Sequence, residues 1–138
     1  MESEHFIGKV AQKAILVKGD MVLISRGKGD VDMWELPGGR LHRTESPVEG
    51  LKREIKEELG VDAKIGQPIY VEQFKMRNPN EPEHFFIAYE AFLVDESQPF
   101  MFDPVEVTEA KWIAKTDISS YSFYDNCKHA LEAYFAEK

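Results

Sequence analysis

Gly39 to Val61 reads GRLHRTESPVEGLKREIKEELGV, and the rest of the chain is organised around this stretch. Ser46-Pro47-Val48-Glu49 sets a hydroxyl at an N-cap, proline at the first helical position and glutamate at the third, the pattern of a capping box. The helix therefore begins at Pro47. Gly60, after Leu59, is the left-handed residue that ends it after about three and a half turns. On an α-helical wheel Val48, Leu51, Ile55 and Leu59 fall within about 80° and form the expected buried face. Glu49, Lys52 and Lys56 take the solvent side. With Glu54 as origin, Glu57 lies at about −60° and Glu58 at about +40°, so three carboxylates share one arc beside the apolar stripe. Like charges at these spacings cost a helix roughly a few tenths of a kcal/mol per pair, and Arg53 relieves only Glu57 at i,i+4. A hard divalent cation offsets the repulsion, because Mg²⁺ takes oxygen ligands and favours one or two carboxylates together with substrate phosphates. The competing reading of such a run is a solvated, charged helix face.

Against that reading stands the whole spacing: Gly39, Glu45, Arg53, Glu54, Glu57, Glu58 and Gly60, with aliphatic Ile55 and Val61 between and after them. This resembles the signature of the Nudix hydrolase (MutT-like) family at every fixed position. The preceding WELPGG, Trp34 to Gly39, is similar to the segment before the signature in many members. The likeness is strong from Trp34 to Val61 and rests on element order elsewhere. It implies an α/β fold, the Nudix-type α/β/α sandwich with a curved mixed β-sheet, and a Mg²⁺ or Mn²⁺ cofactor held by Glu54, Glu57 and Glu58. The Gly38 carbonyl is a further candidate ligand, since paired glycines let the backbone approach a ligand closely. Arg53 would orient Glu57, and Glu45 would brace the loop from outside. Gly39 and Gly60 are structural members of the motif. One of the three helix glutamates, or a glutamate outside the motif, would act as general base, and the sequence leaves open which.

The chain has 138 residues, which suits one domain spanning 1–138. Its formal charge of −8 argues against bulk binding of nucleic-acid backbones, while an acidic protein still takes phosphate substrates when a metal supplies the positive charge. A single cysteine, Cys127, excludes an internal disulfide and fits a reducing compartment. No apolar run reaches membrane-spanning length, and Met1-Glu2-Ser3-Glu4 lacks a basic start, so a cytoplasmic location with no membrane partner is expected. A homodimer is left open.

Along the chain, Lys9 to Val17 and Met21 to Ser25 read as a hairpin turning at Gly19-Asp20. Arg26 closes the second strand before a mobile GKGD loop. In the resembled family a basic residue here often faces substrate phosphate, and the alternative is a solvent-exposed strand end. Trp34 is core or pocket wall, with core favoured. Ile65 to Phe74 and His84 to Val94 are strands, the second too continuously apolar for anything but a central place. Ala110 to Ala114 is a last short strand, and Ser122 to Lys138 carries apolar residues at helical spacing. The expected architecture is a mixed sheet with the Pro47 helix on one face and the C-terminal helix on the other. Cys127 and His129 read as packing and surface residues.

The resemblance extends to two further positions. Many members carry a glutamate shortly before a tryptophan in the final strand; here Trp112 follows Glu106 and Glu109. Glu106, in loop after Pro104, is the expected fourth carboxylate, and Glu109 is expected to be held by strand pairing. Asn126 resembles a base-reading asparagine of a purine-selective branch, or is simply a polar helix-start residue. The resemblance implies a pyrophosphohydrolase acting on a nucleoside diphosphate linked to another group: a nucleotide sugar, a dinucleoside polyphosphate or a nucleoside triphosphate. The segment between the two middle strands lacks the short motifs of coenzyme A, NADH or diadenosine polyphosphate members. It shows no convincing proline spacing of ADP-ribose members either. The alternative is a Nudix-fold module that senses a nucleotide without cleaving it, although such modules usually carry substituted glutamates. Isomerisation of an allylic diphosphate would call for a larger domain.

Overall fold

In a computed structural model, which describes residues 4–27, 29 and 32–138, β1 (Lys9–Lys18) alternates Ala11, Ile15 and Val17 onto one face of a sheet and Ala14 and Leu16 onto the other. Met1 to Ser3 and half of the GKGD loop (Lys28 and Asp30) lie outside the described residues, as does Val31. A turn at Gly19, with φ 60°, returns the chain into β2 (Met21–Arg26). The sheet order is β4-β5-β1-β2-β6, where β4 is Ala63–Phe74, β5 is His84–Leu93 and β6 is Glu109–Ala114. β1 and β5 run parallel and the other neighbours antiparallel, so the sheet is mixed as expected. β5 lies between β4 and β1, which accounts for its apolar run.

One irregularity positions the site. β1 and β2 pair only at Val17↔Val22 and Lys18↔Met21, then diverge. The segment leading to the helix enters the opening: Glu35 exchanges backbone hydrogen bonds with Ser25 at 2.8 and 2.9 Å, Pro37 O accepts from Ala14 N–H, and β3 (Gly38–Arg40) pairs with Ala11 to Lys13. This third strand was not anticipated, because a glycine pair has little strand preference of its own and pairs here only because β1 offers a free edge.

The helix α1 (Pro47–Leu59) has the expected ends. Ser46 Oγ accepts from Glu49 N–H at 3.3 Å, and Gly60 adopts φ 70°, ψ 18° while its N–H donates to Lys56 O. The expected buried face needs one correction. Leu51, Ile55 and Leu59 are fully buried against Ala14, Leu16, Leu23 and Ala91, but Val48 is 41% exposed. Val48 sits in the first turn, ahead of the sheet, and Gly50 is buried instead, where a Cβ would come within 2.8 Å of Leu41 Cδ1 and Glu45 Oε1.

On the opposite face α2 (Asp125–Ala136) packs Cys127, Ala130, Leu131, Tyr134 and Phe135 against Ile15, Val22, Ile24, Phe86 and Trp34. Trp34 is core, 5% exposed. The expectation that this helix starts near Ser122 is corrected: Ser122 and Tyr124 exchange backbone hydrogen bonds with Trp34, so helical pairing cannot begin before Asp125. A short 3₁₀ helix over 115–120 precedes it. Two helices on opposite faces of a mixed sheet make the α/β/α sandwich.

Candidate functional site

Two glycines let α1 come down onto the strand edge. Gly38, with φ 145°, is pressed onto β1 so closely that a Cβ would lie 2.1 Å from Gln12 O. A Cβ on Gly39 would lie 2.6 Å from the Glu54 carboxylate. Gly38 N–H donates to Glu58 Oε2 at 2.9 Å. Glu54 and Glu58, one helical turn apart, thus face the same glycine turn.

A third carboxylate arrives from the loop between β5 and β6. One oxygen each from Glu54, Glu58 and Glu106 lies within 4.8 Å of the others. Glu109, three residues on, is the first residue of β6 and forms an ion pair with Arg26, with Nη2–Oε1 at 2.7 Å. Glu106 thus stands in loop beside the two helix carboxylates, while Glu109 is held by pairing with Arg26 in the sheet. Glu57 lies apart from the converging oxygens, its side chain 53% exposed. Three carboxylates share an arc, but only the i,i+4 pair meets the glycine turn.

The expectation that Arg53 attends only to Glu57 is corrected. Its Nε and Nη2 grip Glu45 in a fork at 2.9 and 2.8 Å, while Nη1 lies 3.1 Å from both Glu54 and Glu57. Wheel geometry could not show this, because Glu45 precedes the helix and is brought under it by the entering loop. Glu45 also accepts from His42 N–H at 2.9 Å. The Arg53 hydrogen bonds, then that of His42, hold the Glu45 carboxyl down to about 2. The loop bracing expected of Glu45 has a physical form here: a forked ion pair joining the Gly39 loop to the helix.

The convergence is electrostatically unfavourable without a cation. Burial, reinforced by Glu54, pushes the Glu58 carboxyl up to about 8 despite the opposing Lys13 ammonium and Gly38 N–H. Burial and then Asp103, Glu54 and Glu57 raise Glu106 as well. The converging groups are all carboxylates, the donor set that suits Mg²⁺ or Mn²⁺, and the Gly38 turn stands beside them.

Lys13 was not singled out in the sequence. Its Nζ lies 2.7 Å from Glu35 Oε1 and 3.5 Å from Gly38 O. Burial opposes its charge most strongly, but Glu35, Cys127 and Glu58 together hold the ammonium above its ordinary range. A signal was present: Lys13 shares the inward face of β1 with Ala11, Ile15 and Val17.

Glu54, Glu58 and Glu106 border a cleft of about 380 Å³ whose walls also include Arg26, Glu35, Gly39, Arg40 and His42. Arg26 also lies over the Trp34 ring at 4.8 Å. Asn126 is half-buried in the first turn of α2 rather than ahead of the helix, and it does not line this cleft. His129 stands against Glu72 at 3.0 Å, and the buried Cys127 thiol is pushed up to about 11 by burial. Among the described residues no helix is long and apolar enough to cross a membrane.

The profile of the NUDIX domain matches residues 9–133. The putative ADP-ribose pyrophosphatase YjhB of Bacillus subtilis (strain 168) is 30% identical over 91 residues, covering 65% of this chain and 43% of that protein. An 8-oxo-dGTP diphosphatase of Buchnera aphidicola is 44% identical over 46 residues, 33% of this chain and 37% of that one. The chain thus spans less than half the length of these two relatives. Among solved structures, a NUDIX hydrolase from Nitrosomonas europaea superposes with a TM-score of 0.78 at 22% identity, covering 97% of this chain and 74% of that one. The solution structure of the E. coli ORF135 protein gives 0.76 at 20%, covering 95% and 91%. At such identities the likeness shows the fold, a mixed sheet between helices.

Proposed function

The chain belongs to the NUDIX domain family, and from that premise we propose that it is a Mg²⁺- or Mn²⁺-dependent pyrophosphohydrolase of nucleoside diphosphates linked to a further group. The observation that carries this reading is the convergence of Glu54, Glu58 and Glu106 beside a glycine turn in an open cleft. The names of relatives support the substrate class: ADP-ribose, 8-oxo-dGTP and, for a structure with a TM-score of 0.76, a UDP-X compound all contain a nucleoside diphosphate. Nucleotide sugars, dinucleoside polyphosphates and nucleoside triphosphates are the three forms to test.

Glu54, Glu58 and Glu106 would hold the metal, with Glu57 and the Gly38 carbonyl completing the set. When bound, the ion supplies charge neutralisation on phosphate oxygens and lowers the pKa of its water. The chain's own residues do the rest. Arg53, locked by Glu45, holds Glu54 and Glu57 in place through its shared Nη1 contact. Glu54, closest to the Gly39 backbone, or another glutamate of the group takes the proton from the attacking water. Arg26 meets phosphate at the cleft wall, with its orientation set by Glu109 and Trp34, and Asn126 is the base-reading candidate. Gly39, Glu45 and Gly60 shape the turn, the brace and the helix end. The lone buried cysteine suits a reducing compartment, and we place the activity in the cytoplasm.

The test is incubation with Mg²⁺ and a panel of the three substrate forms in ¹⁸O water, with products identified by mass. Label in a phosphate product is expected and reports which phosphorus was attacked. Tight nucleotide binding without labelled product would leave a binding module instead.

A further inference from the structure

Glu106 stands on a loop, yet it must meet two carboxylates of a helix more than forty residues earlier in sequence. One residue, Asp103, makes the bonds nearest to it. Asp103 N–H donates to Glu58 O at 3.1 Å, in the last turn of α1. Its own carbonyl accepts from Glu106 N–H at 3.0 Å and from Val107 N–H at 2.8 Å, closing a single helical turn. Its side-chain Oδ1 accepts from Val105 N–H at 2.9 Å, capping that turn, with Pro104 at its first position. On either side the loop is anchored independently: Met101 N–H donates to Leu59 O at 2.8 Å, and Val107 is buried in the α1-side core. The carbonyls that a helix end leaves without partners are thereby taken up by the loop that carries the third carboxylate.

We propose that Asp103 is the positioning residue that places Glu106 opposite Glu54 and Glu58, by tying one capped turn of the loop to the C-terminal end of α1. The proposal rests on the reading of Glu106 as a metal ligand and adds what sets its place. Three contacts of Asp103 are backbone bonds that any residue supplies. The cap on Val105 is the one that the side chain alone provides, so the acceptor oxygen rather than the charge is the working part. Asparagine keeps that oxygen and alanine removes it, while both remove the negative charge.

The experiment is calorimetric titration of Mn²⁺ into substrate-free protein. Asp103→Ala is expected to weaken Mn²⁺ binding about 10-fold, the lower range for loss of a group that orients a metal ligand. Asp103→Asn is expected to restore most of that loss. Pro104→Gly, which loosens the same turn without touching a charge, should weaken binding in the same direction and serves if the alanine variant does not fold. Glu106→Gln should weaken binding on its own, and Asp103→Ala should add nothing in that background. The proposal is overturned if Asp103→Ala and Pro104→Gly bind as wild type does while Glu106→Gln binds more weakly, or if the Asp103 and Glu106 effects add. Wild-type affinity in Glu106→Gln would instead show that the ligand role itself has failed, and the positioning role with it.

Discussion

Glu58 carries a carboxyl whose pKa burial pushes up to about 8. A raised carboxyl is protonated in the folded chain over a range where the unfolded chain has already ionised, so the unfolded state holds fewer protons there. The stability tied to this group is fully present below the ordinary carboxylate range and is lost as pH rises to about 8. Metal-free protein is therefore expected to lose melting temperature across that window, and Glu58→Gln to flatten the fall. Mn²⁺ should raise the melting temperature more above pH 8 than below pH 6; equal gains would contradict the site. Glu57 poses a different question, since it is half-exposed and its partner is Arg53. As a member of the metal set, its change to Gln is expected to lower kcat at least about 10²-fold, whereas Glu49→Gln, on the solvent side of the same helix, should change it little. Steady-state kinetics at saturating Mg²⁺ decides, and equal effects would remove Glu57 from the set.

At the scale of elements, α1 is defined by its ends. Ser46 caps the start, and Gly60 takes a left-handed conformation at the finish. Gly60 also touches the loop that carries Glu106: a Cβ there would lie 2.8 Å from Met101 Cβ and 2.9 Å from Met101 O. Gly60→Ala is expected to cost about 1 kcal/mol or more, because alanine resists positive φ, and to weaken Mn²⁺ binding by shifting the loop. A denaturant melt and a Mn²⁺ titration on the same variant check both parts. Unchanged affinity with lowered stability would show that the loop holds its place without the helix end. Both helix ends could be read from residue types. The course of the Glu106 loop could not, because its hydrogen bonds go to carbonyls, which every residue possesses.

At the scale of the molecule, the two cores lie on opposite faces of the sheet and only one supports the carboxylates. Ile55 belongs to the α1 side and Leu131 to the α2 side, and both are fully buried. Replacing either with alanine is expected to cost about 2–5 kcal/mol, the usual range for a truncated core aliphatic. Only Ile55→Ala should also weaken Mn²⁺ binding, since α1 carries Glu54 and Glu58. Thermal melts paired with Mn²⁺ titration test this, and equal loss of affinity in both variants would mean that the sheet, not the helix, governs the site.

The sequence by itself determined α1 between Ser46 and Gly60, the Leu51, Ile55 and Leu59 stripe and the apolar interior strand β5. Each of these follows from local pattern: caps, period and apolar continuity act within a few residues of one another. The sequence also singled out Glu106 over Glu109, because a loop residue is free to turn and a strand residue is held by pairing. Only the tertiary structure decided that Val48 is exposed, that Arg53 grips Glu45, that Lys13 stands behind Glu35, and that Glu54 and Glu58 meet Glu106 while Glu57 faces outward. Those outcomes depend on what enters the gap where β1 and β2 part and on how the segments before and after α1 meet its two ends. That is a matter of pairing between distant segments, which no local periodicity encodes.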